Sequence, residues 1–166
     1  MYPRILVPTD GSPVSALAAQ AAIELAHACG SSIVVLSIAV PEAPFPSVEG
    51  GMVFDPGQQL DILLEHAQGF VGTLAQSVRH AGVDCTPVAR IATDPGQAIV
   101  DAAREYGCDL IVMGSHGRRG LSRLLAGSVT QEVLANAPVP VMVFRPALSG
   151  EKVRELARAC PASQQE

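Results

Sequence analysis

Short apolar runs alternate along the chain with longer stretches in which apolar residues return every three or four positions. The first run, Arg4-Ile-Leu-Val-Pro8, reads as a strand. Ser12 then offers an N-cap and Pro13 a first-turn residue to a helix carrying Val14, Leu17, Ala18, Ala21, Leu25 and Ala28 at helical spacing, with Gly30 as its stop. Ile33 to Ala39 is apolar apart from Ser37, which suits a parallel strand covered on both faces. The next 18 residues, Val40 to Gly57, hold prolines and glycines that exclude regular structure over most of their length. A connection that long reads as a lid or a tolerated insertion.

A second helix follows, with Leu60, Leu63, Leu64, Ala67, Val71, Leu74 and Val78 on one face. Val83 to Arg90 is a third strand, interrupted by Pro87. Asp94-Pro95 opens a third helix as cap and first residue, and Gly107 closes it. Asp109 to Met113 forms the fourth strand, a helix runs from about Val129 to Asn136, and Val139 to Phe144 is the fifth strand.

Five strands alternating with four helices predict an α/β fold with a single open, mostly parallel sheet. Proline belongs at sheet edges or strand starts, so Pro87 and Pro140 place the third and fifth strands outermost, in the order 3-2-1-4-5. Right-handed crossovers then put helices on both faces. The chain reverses direction between strands 1 and 4, and ligands of open α/β sheets bind in the crevice at such a switch point. The segments placed there are TDGS after strand 1 and GSHGRRG after strand 4.

Composition narrows the class. A chain of 166 residues, 48% hydrophobic and 16% charged, forms one folded domain. Its net charge of −5 argues against generic binding to nucleic acid or to an anionic membrane. The apolar start is too short and proline-interrupted for a signal peptide, and no apolar run nears the ~20 residues that cross a bilayer. Cys29, Cys85, Cys108 and Cys160 form no CxxC pair, which fits small apolar residues in a reducing compartment. A soluble cytoplasmic protein is expected.

Against this acidic background, Gly114 to Thr130 (GSHGRRGLSRLLAGSVT) gathers four glycines and three arginines with no carboxylate. A phosphate cradle needs main-chain N–H groups near the anion, which glycine permits, and gains from the dipole of a helix N-terminus. Gly127-Ser128 sits where the fourth helix begins. Ser128 with Gln131 also fits an S-x-x-Q capping box, so this pair reads equally as a plain helix start. The upstream glycines and the arginines tilt the balance toward an anion. A P-loop is excluded, because the only lysine is Lys152, and so is the Rossmann fingerprint, because TDGS follows the first strand.

What remains is Gly114-x-x-Gly117, nine residues, then Gly127-Ser128. Together with ILVPTDGS, DLIVMGSHGRRGLSRLLAGSVTQEVL and PVPVMVF, this pattern resembles the universal stress protein family, with its Rossmann-like fold, in its nucleotide-binding branch, over about residues 3–145. The resemblance implies an ATP-binding, dimeric stress-response or regulatory protein. Asp10 would bond the ribose or lie near the adenine, with main chain of Pro8 and Thr9 beside it. Ala39 and Val40 would border the base, and Met113 would line its pocket. Gly114, His116, Gly117 and Arg118 would wrap the ribose and phosphates, and Gly127, Ser128, Val129 and Thr130 would hold phosphate oxygens through main chain and hydroxyls. The homodimer would pair through the last strand, Val139 to Phe144, whose exposed apolar edge would otherwise be a liability.

The remaining candidates have simpler readings. Asp10 also fits a polar turn before the Ser12 cap. His116 suits a ribose or phosphate contact better than acid–base work, and Arg118 is preferred to Arg119 and Arg123 for phosphate. His27, His66 and His80 lie on helices at no metal-ligand spacing, and Asp55, Asp61 and Glu65 read as a solvated helix start; no metal site is assigned. Two alternatives stand beside the binding protein. One is a slow ATPase or adenylate-forming enzyme, with Mg²⁺ bridging phosphates and His116 or Asp10 assisting. The other is a nucleotide-free dimeric scaffold, against which the complete glycine pattern counts. The domain is expected over 1–146. Residues 147–166 form an extension in which Ser149 caps a short helix with Val153, Leu156, Ala157 and Cys160 as its apolar stripe, ended by Pro161 and a frayed tail.

Overall fold

The computed structural model describes residues 2–41, 56–115 and 127–145. Along the chain run β1 (Arg4–Pro8), α1 (Pro13–Cys29), β2 (Ser32–Ala39), α2 (Pro56–His80), β3 (Cys85–Ile91), α3 (Pro95–Glu105), β4 (Leu110–Gly114), α4 (Ser128–Asn136) and β5 (Val141–Phe144). The strands form one five-stranded sheet in the order β3-β2-β1-β4-β5, and every pairing is parallel. Pro87 lies on the outer strand β3, opposite Val35. Pro140 stands just before β5, where only its carbonyl is needed to accept Ile111 N–H at 3.0 Å. The proline argument for the two edges therefore holds.

Alternation along the central strands divides the core in two. Ile5, Val7, Ile33, Val35, Leu110 and Val112 face α1 and α2, meeting Ala18, Ala22, Val71 and Val78. Leu6, Val34, Leu36, Ile111 and Met113 face the other way, against Ile99, Ala102 and Ala103 of α3 and Val133 of α4. A strand buried on both faces has no polar alternation, which is why these runs are almost wholly apolar.

The element boundaries shift where local bonding differs from the sequence pattern. The helix α2 begins at Pro56, inside the stretch read as a connection, because proline is well tolerated in a first turn. Val83 belongs to the turn before β3, with its N–H on Val78 O at 3.2 Å, so that strand starts at Cys85. Val139 likewise precedes β5, which starts at Val141 after the Pro140 interruption. Residues 42–55, the core of the expected lid or insertion, and the expected C-terminal helix within 147–166 lie outside the described residues.

Candidate functional site

The crevice originates in strand register. β1 pairs with β2 over five residues, from Arg4↔Ser32 to Pro8↔Leu36. With β4 it pairs only at Ile5↔Leu110 and Leu6↔Ile111, so the two strands part toward their C-terminal ends. The turn after β1 and the first turn of α4 come to this end of the sheet.

Thr9 stays tied to β2 through its N–H on Leu36 O at 2.8 Å. The half-buried Asp10 accepts the Ser12 N–H at 3.1 Å, which fixes its carboxylate at the crevice. Ser12 caps α1 by accepting Ser15 N–H at 3.2 Å, and the Ser15 hydroxyl donates back to Ser12 O at 2.9 Å. The Thr9 hydroxyl lies 3.3 Å from that of Ser15 and accepts the Gly11 N–H at 3.3 Å. Gly11 turns the chain at φ +75°, where an added Cβ would sit 2.5 Å from the Phe70 ring. Polar turn and half-buried carboxylate are thus one arrangement: the turn is what aims Asp10.

On the other side, β4 ends at Gly114. A Cβ there would lie 3.0 Å from Val14 Cγ1 and 3.1 Å from the Val14 carbonyl carbon, so the glycine lets the start of α1 close onto β4. Ser115 is wholly buried; its N–H donates to Phe144 O at 2.7 Å, and its carbonyl accepts Gly127 N–H at 2.8 Å. The chain therefore leaves at Ser115 and rejoins at Gly127 side by side. The Thr130 hydroxyl, 2% exposed, points at the carbonyls of Gly114 and Ser115, at 3.1 and 3.2 Å.

The helix α4 starts one residue earlier than its sequence pattern suggests. Gly127 is its N-cap, with no side-chain capping bond, and Ser128 is the first helical residue. The capping box expected between Ser128 and Gln131 therefore does not form, because Ser128 has already entered the helix; Gln131 N–H donates to Gly127 O at 3.0 Å instead. The first N–H groups of a helix lack intrahelical partners, and here they belong to Ser128, Val129 and Thr130.

Of the other predicted residues, Pro8 and Val40 are half-buried, and Ala39 is buried at the end of β2 with its carbonyl accepting Ala92 N–H at 3.1 Å. Met113 is buried in the core beneath α3 and α4. His116, Gly117 and Arg118, with Arg119 and Arg123, lie outside the described residues. His27, His66, His80, Asp61 and Glu65 are exposed on α1 and α2. Among the described residues, no three His, Cys, Asp or Glu side chains are grouped to hold a metal, and no helix is long and apolar enough to cross a membrane.

A contact between α3 and α4 has no signal in the sequence. Asp94 caps α3, accepting Gln97 N–H at 3.0 Å, and Glu132 of α4 lies directly over Gly96 at that same helix start. Desolvation, then the charge of Asp94 and a hydrogen bond to it, raise Glu132 above the ordinary carboxylate range. The cap was legible from Asp94-Pro95. Its partner, from a helix far along the chain, was not. Elsewhere burial pushes the Cys108 thiol up to about 11, with nearby Arg4 opposing the shift and Asp109 adding to it, so this cysteine stays a thiol at neutral pH.

Fold and crevice together define a Rossmann-like open α/β domain with a cleft at its switch point. Residues 1–145 match the family model of the universal stress proteins, and the chain belongs to that family. Universal stress protein MJ0531 of Methanocaldococcus jannaschii is 33% identical over 152 residues, spanning 87% of this chain and 83% of its own. Among solved structures, UspA from Lactobacillus plantarum superposes with a TM-score of 0.74 at 27% identity, over 87% of this chain and 98% of that one. A universal stress protein in complex with cAMP (TM-score 0.64, 22% identity, 88% and 99% of the two chains) has the same fold. So does one from Archaeoglobus fulgidus in complex with dAMP (0.63, 21%, 87% and 98%).

Proposed function

We propose that this protein binds an adenine nucleotide, ATP in the first instance, in the crevice between β1 and β4, and acts as a dimeric regulatory protein. The observation that carries this reading is the start of α4. Its first-turn N–H groups, at Ser128, Val129 and Thr130, come to the open end of β4, and the cap residue, Gly127, has no side chain to occupy them. Such a terminus favours phosphate through its N–H groups and its dipole. Asp10 is held across the crevice by its turn, suited to accept from ribose hydroxyls. Two proteins of the same fold, one with cAMP and one with dAMP, hold ligands of this class. The edge strand β5 supports pairing between copies: it ends the sheet with one side unpaired among the described residues, and Met142 on it is 41% exposed.

Calorimetric titration with ATP tests the reading, alongside Ser128→Glu. A carboxylate at the first helical position agrees with the helix dipole, so the fold is retained, but it repels phosphate. Binding by the wild type and its loss in the variant are expected. Equal binding by both proteins would place the phosphates elsewhere. Light scattering on the same samples is expected to give a dimer, and a monomer of 17.2 kDa would contradict the pairing.

A further inference from the structure

The two sides of the cradle are joined at one point, and Thr130 holds the joint. Its hydroxyl donates toward Gly114 O at 3.1 Å and Ser115 O at 3.2 Å. Ser115 O also accepts Gly127 N–H at 2.8 Å, while Ser115 N–H is fixed on Phe144 O at 2.7 Å. Four segments thus meet here: the end of β4, the end of β5, the N-cap of α4 and the first turn of α4. β1 has already parted from β4 at this level, so the Gly114 carbonyl faces the opened side of the sheet, where the Thr130 hydroxyl serves it in place of a strand partner. Thr130 is 2% exposed, and its one hydroxyl proton is directed at these carbonyls.

We propose that Thr130 is a positioning residue: its hydroxyl clamps β4 to α4 and sets the distance between the end of β4 and the first turn of α4, and it is not itself a phosphate ligand. The proposal rests on the nucleotide-binding reading for its effect on affinity, but the clamp is defined without a ligand. Thr130 then contributes to binding through its main-chain N–H alone. The hydroxyl matters and the methyl does not, so serine should substitute for threonine and valine, of nearly the same shape, should not. Losing a buried donor of this kind corresponds to about a tenfold change in an equilibrium constant.

The test compares Thr130→Val and Thr130→Ser with the wild type in two measurements. The first is amide hydrogen exchange of the nucleotide-free protein. Faster exchange at Gly127 and Ser115 is expected in Thr130→Val, with wild-type exchange in Thr130→Ser and unchanged exchange in β1 and β2 as evidence that the fold persists. The second is the ATP dissociation constant, expected to rise about tenfold in Thr130→Val and to stay within twofold in Thr130→Ser. Unchanged exchange at Gly127 in Thr130→Val would overturn the clamp, and together with lost ATP affinity it would make the hydroxyl a direct phosphate ligand. If Thr130→Val does not fold, faster exchange at Gly127 and Ser115 in Thr130→Ser would overturn the equivalence of the two hydroxyls. A wild type that binds no ATP would overturn the nucleotide-binding reading, while the exchange data would still decide the clamp.

Discussion

At the scale of the residue, Glu132 links charge to stability. Desolvation raises it above the usual carboxylate range, and Asp94 raises it further by charge and by a hydrogen bond. A group whose folded pKa exceeds its unfolded value contributes stability that is fully present below the unfolded pKa. That contribution is lost as pH rises through the folded one. Wild-type stability should therefore fall as pH climbs from the ordinary carboxylate range through the raised value. Glu132→Gln keeps a donor for Asp94 and removes the ionisation, so its urea midpoint should vary less with pH over that window. Parallel pH profiles for the two proteins would remove Glu132 as the cause. Sequence reading reached Asp94 as a cap because N-cap chemistry is local. Glu132 was invisible to it because the contact depends on how α3 and α4 pack.

At the scale of elements, the starts of α1 and α4 flank the proposed site. α1 can approach β4 only because Gly114 has no side chain in the way of Val14. Its leading turn passes through Gly11 at φ +75° beneath the Phe70 ring. Gly11→Ala puts a side chain where both backbone conformation and space refuse it. It should cost about 2 kcal/mol or more, read as a lower urea midpoint with an unchanged m-value; an unchanged midpoint would mean that Phe70 moves aside freely. Helix and strand identities were legible because period and punctuation are local: Ser12-Pro13 and Asp94-Pro95 mark helix starts, and both side chains do cap. The first residue of α4 was missed because the Ser128–Gln131 spacing imitates a capping box. The true cap, Gly127, is set by its bond to Ser115 across the sheet end.

Across the whole molecule, strand order followed from two prolines, with crossover handedness placing the helices, so the position of the crevice was readable in the sequence. Its interior was not. The parting of β1 from β4 and the Thr130 joint both arise from register and packing between segments distant in sequence. In the proposed site a nucleotide would act as a brace, linking the β1 turn to the α4 start where β1 and β4 have parted. Binding to the folded state alone raises stability by RT ln(1 + [L]/Kd), about 2.7 kcal/mol at a hundredfold excess. For a chain of this length that is about 5–10 °C in Tm. Thermal unfolding with and without excess ATP is therefore the most direct test of the central claim. The account predicts a rise of that size in the wild type and none in Ser128→Glu. A wild-type Tm indifferent to ATP, in protein that releases no adenine nucleotide on denaturation, would contradict it.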